Sequence, residues 1–414
     1  MTPLAGVDPS PRASATLPPS TPSAAPTLTP RSTPGPDRGT WTTVEGADLV
    51  APSAVGVPAG ERGVLMLANT SHSCEPPEGD RAGTRPTFFD VRTHAVTRVS
   101  GNVGLVEYAV ASLADGRVLI AGGYDPKSTS YAPTSRTRIW DPRTRKWGEG
   151  APMGIGRASP YLVTMADGRV MAAGGSVADA EEECEDCETD TSTVELYDPV
   201  TDRWTPTAAV ELVDSVDGEP DGLDDVIALS SGQVLATGEN GTAALYDPVQ
   251  GTWSALAWHG GLWSIALRDG TLLSFGTDYI GGDAEVEVPF AARVDTEGGA
   301  SVVGRLAPAD SAATAVLADG RLMFVGGVVE DDEGYLGEFL TRAVVFEPDT
   351  GLLSEIAPMP APRGASTAVP LDDGSVLVVG GVDVWETQPA TEEEEGNDTP
   401  GCVPVKYRVL RWVP

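Results

Sequence analysis

The chain has 414 residues, enough for two ordinary domains or one large repeat array, and a formal net charge of −34. So acidic a surface repels nucleic-acid phosphates and anionic lipid heads, so neither is expected as a partner; it suits cations or basic partners, or solvation alone. No apolar run reaches the length of a membrane span, and no charged segment followed by an apolar core opens the chain.

Residues 1–38 are of a different material from the rest. The first 40 residues hold 10 Pro and 12 Ser/Thr with almost no large apolar side chains. Such a stretch buries too little surface to offset its ordering entropy, and it reads as a disordered linker or stalk. Immediately after it, "GTWTTV" from Gly39 repeats the "GTWSAL" that begins at Gly251. A degenerate repeat copy follows, with "ERGVLMLANT" (61–70) as a second strand and "TFFDVRTHAV" (87–96) as a third strand and turn.

Six clearer copies come next: "ASLADGRVLIAGG", "VTMADGRVMAAGG", "IALSSGQVLATGE", "IALRDGTLLSFGT", "AVLADGRLMFVGG" and "VPLDDGSVLVVGG". Each is two short apolar strands around a turn, at 115–116, 167–168, 231–232, 269–270, 319–320 and 373–374. Asp-Gly at such a turn predicts a two-residue type I′ hairpin, because glycine supplies the positive φ. A variable loop, a third strand such as "VELYDP" and a strand opening at Trp147, Trp204 or Trp253 complete the unit. Four antiparallel strands repeated along a chain predict the blades of a β-propeller. The final copy ends at "KYRVLRWVP" with no fourth strand. Residues 39–44 supply it in this reading, closing a seven-bladed ring over 39–414 and leaving no unpaired blade edge.

The pattern resembles the kelch repeat, in the form found in the propeller domain of the galactose oxidase family. Gly122-Gly123 with Trp147, Gly174-Gly175 with Tyr197 and Trp204, Gly326-Gly327 and Gly380-Gly381 carry the resemblance. Gly238-Glu239, Gly276-Thr277 and Leu352-Leu353 depart from it. It implies an all-β, seven-bladed kelch-type fold. In the galactose oxidase family it also implies a copper radical site that needs two Tyr, two His and a Tyr–Cys crosslink, with one ligand from a further C-terminal domain. This chain has three histidines, His72, His94 and His259, with His94 expected on the opposite face, and its final residues are expected to belong to the last blade. A carbohydrate-active or oxidase-like enzyme is therefore the second reading, behind a non-catalytic binding module. No Gly-x-Ser-x-Gly elbow or phosphate loop occurs, and the abundant carboxylates single out no acid/base pair.

Long insertions are expected between second and third strands, at 69–86, 124–136, 176–193, 277–289, 328–341 and 382–405. One-sided loop length marks the binding side of a rigid scaffold. These loops are rich in acid, with seven carboxylates in "EEECEDCETD" (181–190) and four in "TEEEE" (391–395); solvated loops explain such runs equally. Ten places before each turn stand Leu105, Arg157, Asp221, His259, Ala309 and Arg363, with Asp310 adjacent. Arg157, Asp221, His259, Asp310 and Arg363 could ring the channel mouth and grip a polar ligand, or pair with each other across blade junctions. Asp217, Glu219 and Asp221, with Gly222 next, resemble half of a calcium loop; the twelfth-position glutamate of an EF-hand is missing. Cys184 and Cys187 could be half a zinc site, but a disulfide within that pair and one between Cys74 and Cys402 account for all four cysteines. Disulfides imply an oxidising compartment. A stalk of this composition commonly follows a signal or lipid anchor, so an extracellular, cell-surface or periplasmic monomer is expected, with a protein or carbohydrate partner.

Overall fold

The structure, a computed structural model, describes residues 39–49, 54–61, 63–68, 86–128, 132–178, 188–213, 220–256, 263–280, 286–295, 300–304, 312–330, 336–382 and 407–414. All belong to one compact unit, Ser32–Pro414. The linker expected over 1–38 lies outside the described residues.

Seven four-stranded antiparallel sheets follow one another along the chain. Blade 1 is Ala54–Pro58, Gly63–Ala68, Thr87–Asp90 and Val96–Arg98; blade 2 is Ala109–Ser112, Val118–Ala121, Thr137–Asp141 and Lys146–Glu149. Blade 3 is Tyr161–Thr164, Val170–Ala173, Val194–Asp198 and Arg203–Pro206; blade 4 is Leu223–Ala228, Val234–Gly238, Ala243–Asp247 and Thr252–Ala255. Blade 5 is Trp263–Ala266, Leu272–Ile280, Val286–Val294 and Ala300–Gly304; blade 6 is Ala313–Val316, Leu322–Val325, Ala343–Glu347 and Leu352–Glu355. Blade 7 takes Gly364–Pro370, Val376–Val382 and Tyr407–Val413 from the end of the chain and Thr40–Leu49 from its beginning. The seven-bladed expectation holds.

The second strands read as unbroken apolar runs, because each lies between two neighbouring sheets. Val118–Ala121, Val170–Ala173 and Leu322–Val325 are buried at every residue. Burying a Val or Leu side chain contributes about 1.5–3 kcal/mol. An apolar cluster fills each blade junction: Leu65, Val118 and Trp140 between blades 1 and 2, Leu119 and Tyr197 between 2 and 3, and Met171 and Val234 between 3 and 4. The remaining junctions hold Leu235 with Leu272, Phe275 with Phe324, Met323 with Val376, and Met66 with Val379. The last cluster joins blade 7 to blade 1, so the ring is continuous.

The closing strand runs past the expected 39–44. It pairs Thr40 with Val413 and Trp41 with Trp412, shifts register between Thr43 and Asp48, and resumes to Leu49. Val44 and Ala47, inside the irregular stretch, pack into the junction with blade 1. Trp41 donates its indole N–H to Ala357 O at 2.6 Å, on the linker leaving blade 6. Trp253 does the same to Ala208 O at 3.0 Å, and Trp204 donates to Thr137 Oγ1 at 3.2 Å. In blades 3, 4 and 7 the tryptophan of the fourth strand thus pins the blade to the one before it, while the Trp147 indole N–H of blade 2 is buried without a partner among the described residues.

Two local expectations need correction. The Asp-Gly hairpins are not type I′ turns, since only the glycine has positive φ (Gly116, 85°; Gly168, 86°; Gly320, 88°). Asp115 instead accepts the N–H of Arg117 at 3.0 Å, and Gly116 N–H returns to Leu113 O. The side chain thereby holds aspartate at negative φ and leaves the left-handed residue to glycine, the three-residue hairpin form. The insertion expected at 277–289 is largely strand, with blade 5 continuing its ladder from Gly276↔Phe290 to Ile280↔Val286. Small hairpins also occupy parts of the blade 3 and blade 6 insertions, Ser176–Ala178 with Glu188–Asp190 and Val328–Glu330 with Leu336–Phe339.

Candidate functional site

The connections between second and third strands share one end of the ring with the linkers between blades. Val106 bridges to Tyr124 and Ala158 to Ser176, each pairing a linker with the start of such a connection. The paired glycines sit where the two cross. Gly123 N–H donates to Arg157 O and Gly327 N–H to Arg363 O, both at 2.9 Å. A Cβ on Gly123 would collide with Val106 O, and one on Gly326 with Arg363 O. Glycine is required there by close backbone approach as much as by its φ. In blade 4 Gly238 N–H closes a short turn on Thr242 O, and the linker meets that turn through Glu239 N–H on Gly222 O at 3.0 Å, so the glycine of the crossing is Gly222 and Glu239 fits opposite it.

Arg157 and Arg363 follow the same plan. Arg157 is fully buried. Its Nη1 donates to Gly174 O at 3.0 Å and Thr193 O at 2.9 Å, and its Nη2 to Thr193 Oγ1 at 3.0 Å and Glu195 Oε1 at 3.1 Å. Glu195 also accepts the N–H groups of Gly154 (2.6 Å) and Ile155 (3.1 Å). Burial lowers the guanidinium pKa and Glu195 opposes that shift. Arg363 is buried and donates to Gly380 O at 3.1 Å. Both arginines expected at the channel mouth therefore lie inside blade junctions, bonded within the protein. Their companion position, Leu105, is buried apolar surface between blades 1 and 2.

Asp221 is half-buried beside the short blade 4 turn. It accepts from Asn240 N (3.0 Å), Asn240 Nδ2 (3.0 Å) and Thr242 Oγ1 (2.6 Å). His259, Asp310, Asp217, Glu219, Cys74, Cys184, Cys187 and Cys402 lie outside the described residues, as does His72. His94 stands in the blade 1 turn at the far end from the blade linkers, its Nδ1 3.3 Å from Arg411 Nη1. Among the described residues, no group of three or more His, Cys, Asp or Glu could hold a metal ion.

What gathers at this end instead, across blades 2 to 4, is acid and phenol. Tyr124 donates to both oxygens of Glu188, at 2.7 and 2.6 Å, and burial followed by Glu188 pushes its pKa far up. Tyr161 donates to Leu223 O at 3.3 Å; burial first, then Asp224, Asp225, Glu239 and Asp190, push it up to about 12. Burial raises the carboxyl of Asp224, with Glu239 and Asp221 adding to it. Burial also raises Asp225, against the bond from Val226 N–H, and Asp224 adds to the rise. These carboxylates crowd one another, an arrangement that a cation or ammonium group would relieve.

The Kelch motif family matches residues 157–209, the stretch from Arg157 through the fourth strand of blade 3. The chain is a seven-bladed β-propeller that carries a kelch motif. Among solved structures, this propeller is similar to a fungal alcohol oxidase of the AA5 family determined in complex with copper, at 19% identity and a TM-score of 0.61. That likeness covers 91% of this chain and 77% of the oxidase, and at such identity it speaks for the fold. No curated protein matches the propeller.

Sequence reasoning missed Glu195, Glu188 and Tyr124. Glu195 carried a signal, as the charged residue of "VELYD" that has no counterpart in the matching "AALYD" of blade 4. Tyr124 and Glu188 meet across two blades and share no spacing that a repeat alignment could expose.

Proposed function

We propose that the propeller is a non-catalytic binding module that takes a basic protein, or a carbohydrate bearing cationic groups, at the end where the blade linkers lie. The observation that carries this reading is the gathering of Glu188, Asp190, Asp221, Asp224, Asp225 and Glu239 around Tyr124 and Tyr161, while Arg157 and Arg363 are buried. Calcium at Asp217, Glu219 and Asp221, disulfides Cys74–Cys402 and Cys184–Cys187, a role for His259 and Asp310 in the same rim, and a location outside the cytoplasm belong to this proposal. The fold similarity to a copper alcohol oxidase favours the second reading, a carbohydrate-active or oxidase-like enzyme at the same end. Calorimetric titration with a decalysine peptide separates the alternatives. Binding weakened tenfold by Glu188→Gln with Asp224→Asn, and spared by Glu347→Gln with Asp349→Asn at the opposite end, supports the module. Equal weakening by both pairs would reduce the effect to net charge, and copper-dependent turnover of a sugar panel would establish the enzyme.

A further inference from the structure

Residues 86–149, the outer half of blade 1 and all of blade 2, hold nine Lys/Arg against six Asp/Glu, a net of +3 within a chain of −34. Residues 150–414 hold 12 against 47. Arg92, Arg98, Arg143, Arg145 and Lys146 are all exposed. Among the described residues none of the five forms an ion pair, whereas Arg136 and Arg138 beside them reach Glu149 at 3.6 and 3.1 Å.

The blade junction makes these cations one surface. Arg145 Nη1 donates to Thr97 Oγ1 at 3.3 Å, and its guanidinium lies 5.4 Å from the centre of the Phe88 ring. The blade 2 turn that carries Arg143, with Lys146 opening the strand after it, is thereby seated on the outer strand of blade 1, where Arg98 follows Thr97. Arg92 stands in the turn leading into that strand. Further along the same seam Arg138 Nη1 donates to Asn102 O (2.8 Å) and Val103 O (2.7 Å) and covers the Trp147 ring at 5.3 Å.

We propose that this seam between blades 1 and 2 binds a flexible acidic polysaccharide, bearing carboxylate or sulfate groups, through charge and hydrogen bonds alone. The surface lacks what other polyanionic partners need. Among the described residues, the strongly exposed large apolar side chains all fall after residue 150, Val200 and Val249 among them, so the seam offers nothing to insert into a lipid surface or to form the core of a protein interface. A single-stranded nucleic acid requires exposed stacking rings, and Arg138 covers Trp147. A rigid duplex would carry dense charge against the acidic remainder of the ring. A flexible saccharide chain follows the seam, and its anionic groups match the guanidinium fork of arginine.

Fluorescence anisotropy with labelled heparin and, separately, polygalacturonate tests this on the full chain and distinguishes sulfate from carboxylate. Binding to at least one at 50 mM NaCl, weakening steeply by 200 mM, is expected. Arg98→Glu with Arg143→Glu and Lys146→Glu should weaken it at least tenfold, and Arg203→Glu with Arg268→Glu, exposed sites on other blades, should not. If the triple reversal misfolds, Arg143→Gln with Lys146→Gln reads the same contact, with a loss of about threefold. Absence of binding to both polymers, equal losses in the two reversal variants, or tighter binding to an oligodeoxynucleotide or a phosphatidylserine vesicle would overturn the proposal.

Discussion

Arg157 and Glu195 form a buried pair that also bonds Gly174, Thr193, Gly154 and Ile155, with Arg157 Nε alone of its nitrogens lacking a partner among the described residues. Removing one partner strands the other charge. Arg157→Ala is expected to lower unfolding free energy by about 3–5 kcal/mol in urea titration, and Arg157→Met with Glu195→Leu to recover most of it. Carboxylates at the two ends of the ring respond oppositely to pH. Burial works against Asp373, yet bonds from Ser375 and Arg411 hold its pKa below the ordinary value, and Asp269 is held down first by the Thr271 hydroxyl. Groups lowered in this way stabilise the fold above the ordinary carboxyl range, and that stability goes as pH falls through their lower folded values. Asp225 is raised by burial, so its charged form costs stability once pH climbs past 3.8. Asp225→Asn should therefore raise Tm at pH 7, and the gain should vanish near pH 3. A variant that melts with the parent at both pH values would count against burial as the cause.

The closing strand makes its prediction at the scale of one element. Deleting residues 1–38 should leave Tm within a degree or two, since every paired residue from Thr40 remains. Deleting 1–46 removes Trp41 from Ala357 and Val44 from the blade 1 junction, and should lower Tm sharply. Loss of a packed tryptophan alone costs about 3–5 kcal/mol. Equal melting of the two truncations would refute closure by this strand. Trp41 was legible because "GTW" recurs at Gly251, and Trp41 and Trp253 donate alike to a carbonyl on the linker after the preceding blade. The strand's extension to Leu49 was not, because it follows a register break where Val44 and Ala47 turn to the next blade. The long blade 5 hairpin escaped notice for a related reason: "DAEVEV" reads as a charged loop until its partner strand supplies the ladder.

At the scale of the whole molecule, repeat spacing fixed the number and order of blades, since a strand buried on both faces has to be apolar throughout. The same alignment placed Arg157 and Arg363 at a rim without saying which way they point. Their direction depends on Glu195 and on carbonyls of the following blade, which are remote in sequence. The junction of blade 7 with blade 1 brings the insertions holding Cys402 and Cys74 onto adjacent blades. A disulfide between them would close a loop of several hundred residues, stabilising by up to about 5 kcal/mol in the chain-entropy picture. Non-reducing peptide mapping of protein from an oxidising compartment should recover the Cys74–Cys402 peptide, and both thiols free to alkylate would dismiss the bond.

Pairing Trp41 with Trp412 also imposes a schedule. A ribosome adds roughly 5–20 residues per second, so the first strand made waits on the order of 20–70 s for the strand it pairs with. Over that interval blades 1 to 6 can form in turn, but blade 1 presents one bare flank and Trp41 has no indole beside it. Completion is a single late event that needs Tyr407–Val413. A nascent chain stalled short of Tyr407 should hold an open arc, sensitive to protease within Thr40–Leu49 and prone to join its bare flank to another such arc.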